Sequence, residues 1–289
     1  MDAVEGVTHL TAIVHFKIYR LVRADFITEI TFEKRESFVV IMERLSDMLL
    51  MGNADNPSAW RKDYVESAIS GIAEIHSIWY GRDAELKDQP WLGYVQSSKA
   101  IAEQKPLLKE MLRHASVEFP ALVTGEVLQR NNELIESVEL WWAELESMKK
   151  TLIHNDFNPR NIGIRSVAGA LRLCAFDWEL STIHIPQRDL AELLSFVTTD
   201  DSTEEEIDAY IELHRATLEK FTGLSIDRKE WRRGYELALF DLAIGRIAMY
   251  LMAHTFKHYS FMEHLLKSNS RLIALERLSQ RSVVDGRVG

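Results

Sequence analysis

Near the middle of the chain, between a helical pattern and a strand pattern, lies Leu152-Ile153-His154-Asn155-Asp156-Phe157-Asn158-Pro159-Arg160-Asn161-Ile162. No other stretch constrains the fold as strongly. An Asp in a helix-to-strand loop can accept a proton from an attacking hydroxyl or orient it, and an Asn five positions on can offer its amide oxygen to a hard cation. Ile162 to Phe176 then reads as a hairpin, with Ile162-Gly163-Ile164 and Leu171-Arg172-Leu173-Cys174-Ala175-Phe176 enclosing Ser166-Val167-Ala168-Gly169. A hairpin returns its last residue close to its first, so Asp177 is expected beside Asn161. Two oxygen ligands from adjacent segments suit Mg²⁺, which keeps several waters and takes its other ligands from substrate phosphates.

The rest of the chain predicts an α+β protein rich in helix, since 13 Gly and 6 Pro are few for 289 residues. Ile27 to Glu43 reads as a first hairpin around Glu33-Lys34-Arg35-Glu36-Ser37. Val65, Ile69, Ile72, His76 and Trp79 share one helix face. A helix is expected over Leu134 to Met148. Ser202 with Glu205 reads as a capping box, and Leu237 to Leu251 reads as a buried central helix. Gly52 to Ser58 is the most linker-like piece.

Charge and composition narrow the function. Acidic residues (44) outnumber basic ones (34), a net charge of -10 that argues against a nucleic-acid partner and is compatible with a neutral or cationic small molecule. The single cysteine, Cys174, excludes an internal disulfide and reads as a buried apolar residue. No apolar run approaches the ~20 residues of a membrane span, and the N-terminus lacks the order of a signal peptide, so a cytoplasmic protein is expected. Trp141, Trp142, Trp178, Trp231 and Tyr235 can build either an aromatic cage for a quaternary amine or ordinary core. The acidic run Asp200 to Glu206 reads as a solvated helix start, and Glu179 as either a metal-side carboxylate or a surface acid.

His-x-Asp-x-x-x-x-Asn, followed by an Asp after a hairpin, resembles the core of the protein-kinase-like fold. His154-Asn155-Asp156 with Asp177-Trp178-Glu179 is most similar to the aminoglycoside phosphotransferase and choline/ethanolamine kinase superfamily, and within it to the choline kinase branch. The resemblance implies that Asp156 is the catalytic base, that Asn161 and Asp177 bind Mg²⁺, and that His154 supports the loop. It implies that Asp189, in Arg188-Asp189-Leu190-Ala191, braces that loop. It also makes Val39 to Glu43 the strand entering an interlobe hinge, where Met42, Glu43, Arg44 and Leu45 contact the adenine of ATP or another nucleoside triphosphate. The expected organisation is a short β-containing N-lobe with hinge over 1–45. A mostly helical C-lobe over 46–289 carries the catalytic loop 152–161 and the metal-binding hairpin 162–179.

The departure lies upstream. Before Val39 there is a single Gly, Gly6, hence no Gly-rich loop over phosphates, and Lys17 stands too close to the hairpin for the usual order. The N-lobe therefore reads as cut to its last helix and hairpin. Its bare edge, from Phe16 to Leu21 and along the hairpin, is expected to be covered by Val4 to Val14, by a second copy of the chain or by a partner polypeptide. Two readings follow: a small-molecule kinase, with an amino alcohol or aminoglycoside-like cation as first expectation for the acceptor, or a weak or inactive pseudokinase that binds without turnover. A metal-dependent hydrolase using His154, Asp156 and Asp177 lacks a second His cluster.

Overall fold

The computed structural model describes residues 28–32, 37–41, 45, 47–87, 89 and 91–285; before residue 45 and after residue 276 the description is of the backbone. The expected N-terminal helix, the strand from Phe16 to Leu21, and Met42, Glu43 and Arg44 lie outside the described residues. The first hairpin forms as β1 (Thr28–Phe32) and β2 (Ser37–Ile41), antiparallel, with Thr28 opposite Ile41 and Phe32 opposite Ser37.

β3 (Met48–Met51) follows and joins β5 (Ile162–Val167) and β6 (Ala170–Ala175) in the order β3-β5-β6. Leu45 is half-buried on the segment entering β3. The β5–β6 turn is tighter than expected. Only Ala168 and Gly169 lie outside the ladder, with φ of 51° and 80°, the paired left-handed conformation of a two-residue hairpin loop. β3 can approach because Gly163 faces it. A Cβ there would sit 2.7 Å from the Leu50 carbonyl oxygen, closer than real contacts allow.

The helical lobe begins with α1 (Lys62–Ser77), which buries Val65, Ile69, Ile72 and His76 as expected, although Trp79 falls past its end. Each fully buried Ile contributes about 1.5–3 kcal/mol of apolar burial. α2 (Ser98–Glu118) follows. The helix expected over Leu134 to Met148 is two, α3 (Gly125–Glu136) and α4 (Val138–Ser147), parted at Ser137, whose hydroxyl turns back onto the Glu133 carbonyl. β4 (Thr151–Ile153) pairs antiparallel with β7 (Thr182–His184), clamping the segment between them at both ends.

After β7, α5 (Gln187–Val197) is buried along its whole length and packs against α7 and α9. α6 (Glu204–Thr222) is capped by Thr203, whose hydroxyl accepts from Glu206 N–H at 3.2 Å, and not by Ser202. Ser202 instead accepts from Thr199 N–H at 3.0 Å, tightening the preceding loop. The long helix expected over Leu237 to Leu251 breaks at Gly245 into α7 (Arg228–Ile244) and α8 (Arg246–His254). The stretch Arg228–His254 is apolar and long enough by composition to cross a membrane, yet the break and its burial against α5 and α9 (Met262–Asp285) make it core. Trp141, Trp142, Trp178, Trp231 and Tyr235 are all buried in that core, and Cys174 is fully buried on β6.

Candidate active site

Asn155 adopts a left-handed conformation (φ 61°) immediately after β4, turning two successive backbone N–H groups the same way. Both meet Asp189, at the start of α5. One carboxylate oxygen accepts from His154 N–H at 2.7 Å, the other from Asn155 N–H at 2.9 Å. His76 Nε2 sits 3.0 Å from the same carboxylate, and His214 Nε2 lies 3.2 Å from His76 Nδ1. Burial pushes the Asp189 carboxyl up, but the His76 hydrogen bond and the surrounding His charges outweigh it and hold it below the usual carboxylate range. The His154 ring lies 3D-locked between Trp178, centroids 4.5 Å apart, and the Phe176 carbonyl, 2.8 Å from its Nε2. A carbonyl only accepts, so Nε2 carries the proton, and the ring's placement is that of a loop support rather than a base.

Asp156 is held from several directions. Its Oδ1 accepts from Tyr250 O–H at 2.8 Å, Asn158 Nδ2 at 2.9 Å and Arg160 at 3.3 Å. Its Oδ2 accepts from Asn161 Nδ2 at 2.6 Å. Burial pushes this carboxyl up too, but the guanidiniums of Arg246 and Arg160 and the Tyr250 hydroxyl pull it down further, so it stands below the ordinary range. Oδ1 is crowded with donors while Oδ2 has one, so Oδ2 is the oxygen with capacity for a substrate hydroxyl. Asn158 links this carboxylate to the buried Glu192 at 3.0 Å, and Arg188 grips Glu192 at 2.9 Å and Asp241 at 2.8 Å.

Hairpin pairing brings the metal-side residues together. Phe176 N–H donates to the Asn161 carbonyl at 3.0 Å, which sets Asp177, the next residue, at the mouth of the same loop. Asp177 is exposed and left-handed (φ 63°), a strained turn that Asp tolerates better than most residues. Asn161 Nδ2 is committed to Asp156, leaving Oδ1 as the amide's remaining polar atom. Two hard oxygen donors are what a Mg²⁺ completed by water and phosphate requires. No cluster of three or more His, Cys, Asp or Glu suited to a metal occurs among the described residues, so the hydrolase reading finds no second set of ligands.

Of the residues expected from sequence, His154, Asp156, Asn161, Asp177 and Asp189 lie together, and Leu45 lies on the segment entering β3. Glu179 is exposed. Sequence reasoning did not single out His76, Asn158, Arg160, Glu192, Arg246 or Tyr250. His76 carried a signal, a titratable side chain on an apolar face. Asn158 and Arg160 stood inside the motif. Nothing local marks Arg246 or Tyr250, which belong to a helix some ninety positions downstream.

The profile of the phosphotransferase enzyme family matches residues 25–224. A search of curated proteins by sequence finds no match. Among solved structures, the GDP complex of aminoglycoside 2'-phosphotransferase-IIIa superposes with a TM-score of 0.54 at 15% identity, covering 94% of this chain and 78% of that one. A choline kinase from Cryptosporidium parvum Iowa II superposes at 0.52 and 12% identity, covering 86% of this chain and 72% of that one. At such identities the likeness is one of fold.

Proposed function

The chain belongs to the phosphotransferase enzyme family, and on that premise we propose that it transfers the terminal phosphoryl group of a nucleoside triphosphate to a hydroxyl of a small molecule, with Asp156 as base. The observation that carries this reading is the grouping of Asp156, Asn161 and Asp177 at one end of a hairpin, with Asp156 and Asn161 2.6 Å apart. Tyr250, Arg160 and Arg246 keep Asp156 ionised at neutral pH, so its Oδ2 can orient the acceptor hydroxyl and take its proton. The acceptor oxygen forms a bond to the γ-phosphorus while the bond from that phosphorus to the β-bridging oxygen breaks, releasing nucleoside diphosphate. Asn161 Oδ1 and the Asp177 carboxylate would hold Mg²⁺, which when bound neutralises charge on the phosphates. Asp189 and His154 keep the loop in place for that encounter.

Two measurements test the reading. Mg²⁺ with ATP or GTP should stabilise the fold, by about 2.7 kcal/mol at a hundred times Kd. Asp156→Ala should keep that stabilisation and lose turnover. A chain that no Mg²⁺–nucleotide stabilises refutes the proposal, and one that binds nucleotide without consuming it over a broad acceptor set is the pseudokinase instead.

A further inference from the structure

We propose that the phosphate acceptor is an anionic hydroxy compound whose carboxylate or phosphate group is received by Arg246 at the start of α8; this rests on the phosphotransfer reading and narrows its acceptor. Arg188 grips Glu192 and Asp241, and Arg232 grips Asp208 and Glu276, while Arg271, far from the site in sequence, spends its donors on the Thr199 and Ser202 carbonyls. Arg246 is half-buried, yet it donates only to the Asn155 carbonyl and has no carboxylate within ion-pair reach among the described residues. That carbonyl belongs to the residue just before the catalytic Asp156, which places the guanidinium at the site itself.

Arg160 adds a second positive charge, with its Nε and Nη2 given to Asn158, Asp156 and Tyr250 and its guanidinium over the Tyr250 ring, 4.9 Å from the centroid. It sets the field without offering a free fork. α8 also begins at Arg246, and its N-cap, Gly245, supplies no capping side chain. An ammonium-bearing acceptor meets the two guanidiniums that hold Asp156 ionised, while Glu192 is already gripped by Arg188 and Asn158, and Asp177 stands on the metal side. An anion meets a planar fork with donors to spare, the geometry that suits a carboxylate or phosphate. The amino-alcohol expectation drew on the motif variants and on net charge, and net charge reports the whole surface and not this site.

The test uses one hydroxylated skeleton at graded charge: glycerol, glycerate, glycerol 3-phosphate and the cationic serinol, each titrated calorimetrically into the full chain. Glycerate or glycerol 3-phosphate should bind by roughly 50 mM while glycerol and serinol do not. Arg246→Gln should weaken the anion by roughly thirty-fold or more. Arg246→Lys, which keeps the charge and loses the fork, should retain the preference at reduced affinity, and its unchanged melting temperature would show the loop intact. Serinol binding as well as the anions, no anion binding up to that concentration, or anion binding that survives Arg246→Gln overturns the proposal. Mg²⁺–ATP stabilisation is read on the same samples, so loss of the phosphotransfer reading shows as absent nucleotide binding, independently of the anion result.

Discussion

Replacing Asp189 by Ala should cost more than any other single change near the site. The carboxylate is fully buried and accepts from His154 N–H (2.7 Å), Asn155 N–H (2.9 Å) and His76 (3.0 Å). Each buried donor left without an acceptor costs about 1–3 kcal/mol. Removing one partner of a buried charged cluster costs about 3–5 kcal/mol in all, because the groups it leaves behind stay buried without compensation. Set against a typical total of about 5–15 kcal/mol, that is a large share. At roughly 2–4 °C per kcal/mol for a chain of this size, the melting temperature should fall by about 6–20 °C. Urea unfolding followed by tryptophan fluorescence is a suitable assay, since Trp178 packs on His154 and senses the loop directly. The pH dependence is a second readout. The folded carboxyl is held below its unfolded value, so its contribution is complete above about pH 4 and is lost as pH falls through the folded value. The gap between wild type and Asp189→Ala should therefore narrow in acid. A loss under about 1 kcal/mol, or a gap that widens in acid, would refute the bracing argument.

Tyr250→Phe removes the 2.8 Å hydrogen bond to Asp156, so the acid limb of the pH–rate profile should move to higher pH; an unmoved limb would count against Tyr250 tuning the base. His214 is buried and burial holds it well below the ordinary histidine value, so the unfolded chain takes up a proton that the folded one refuses; stability should fall by about 1.4 kcal/mol per pH unit below pH 6.5, a slope His214→Phe reduces. Gly163→Ala should destabilise by about 1–3 kcal/mol, because β3 must move off β5; thermal melting checks it.

The loop from His154 to Asn161 and the hairpin after it were legible in the sequence because their pattern is local. His154, Asp156 and Asn161 occupy one loop, and hairpin pairing alone returns Asp177 to its start. Helix faces were legible where apolar spacing was clean, as in α1, since periodicity records which side is buried. Helix boundaries were not: the breaks at Ser137 and Gly245 leave the apolar pattern running on, because a break changes hydrogen bonding and not hydrophobicity. Only the tertiary structure decided the electrostatics of the site. Tyr250, Arg160 and Arg246 set the charge state of Asp156, and α8 reaches that carboxylate only because α7 ends at Gly245. Sequence can name a carboxylate that does chemistry. Its proton affinity belongs to whatever the fold brings beside it, since Coulomb and desolvation energies depend on distance and burial and not on order along the chain.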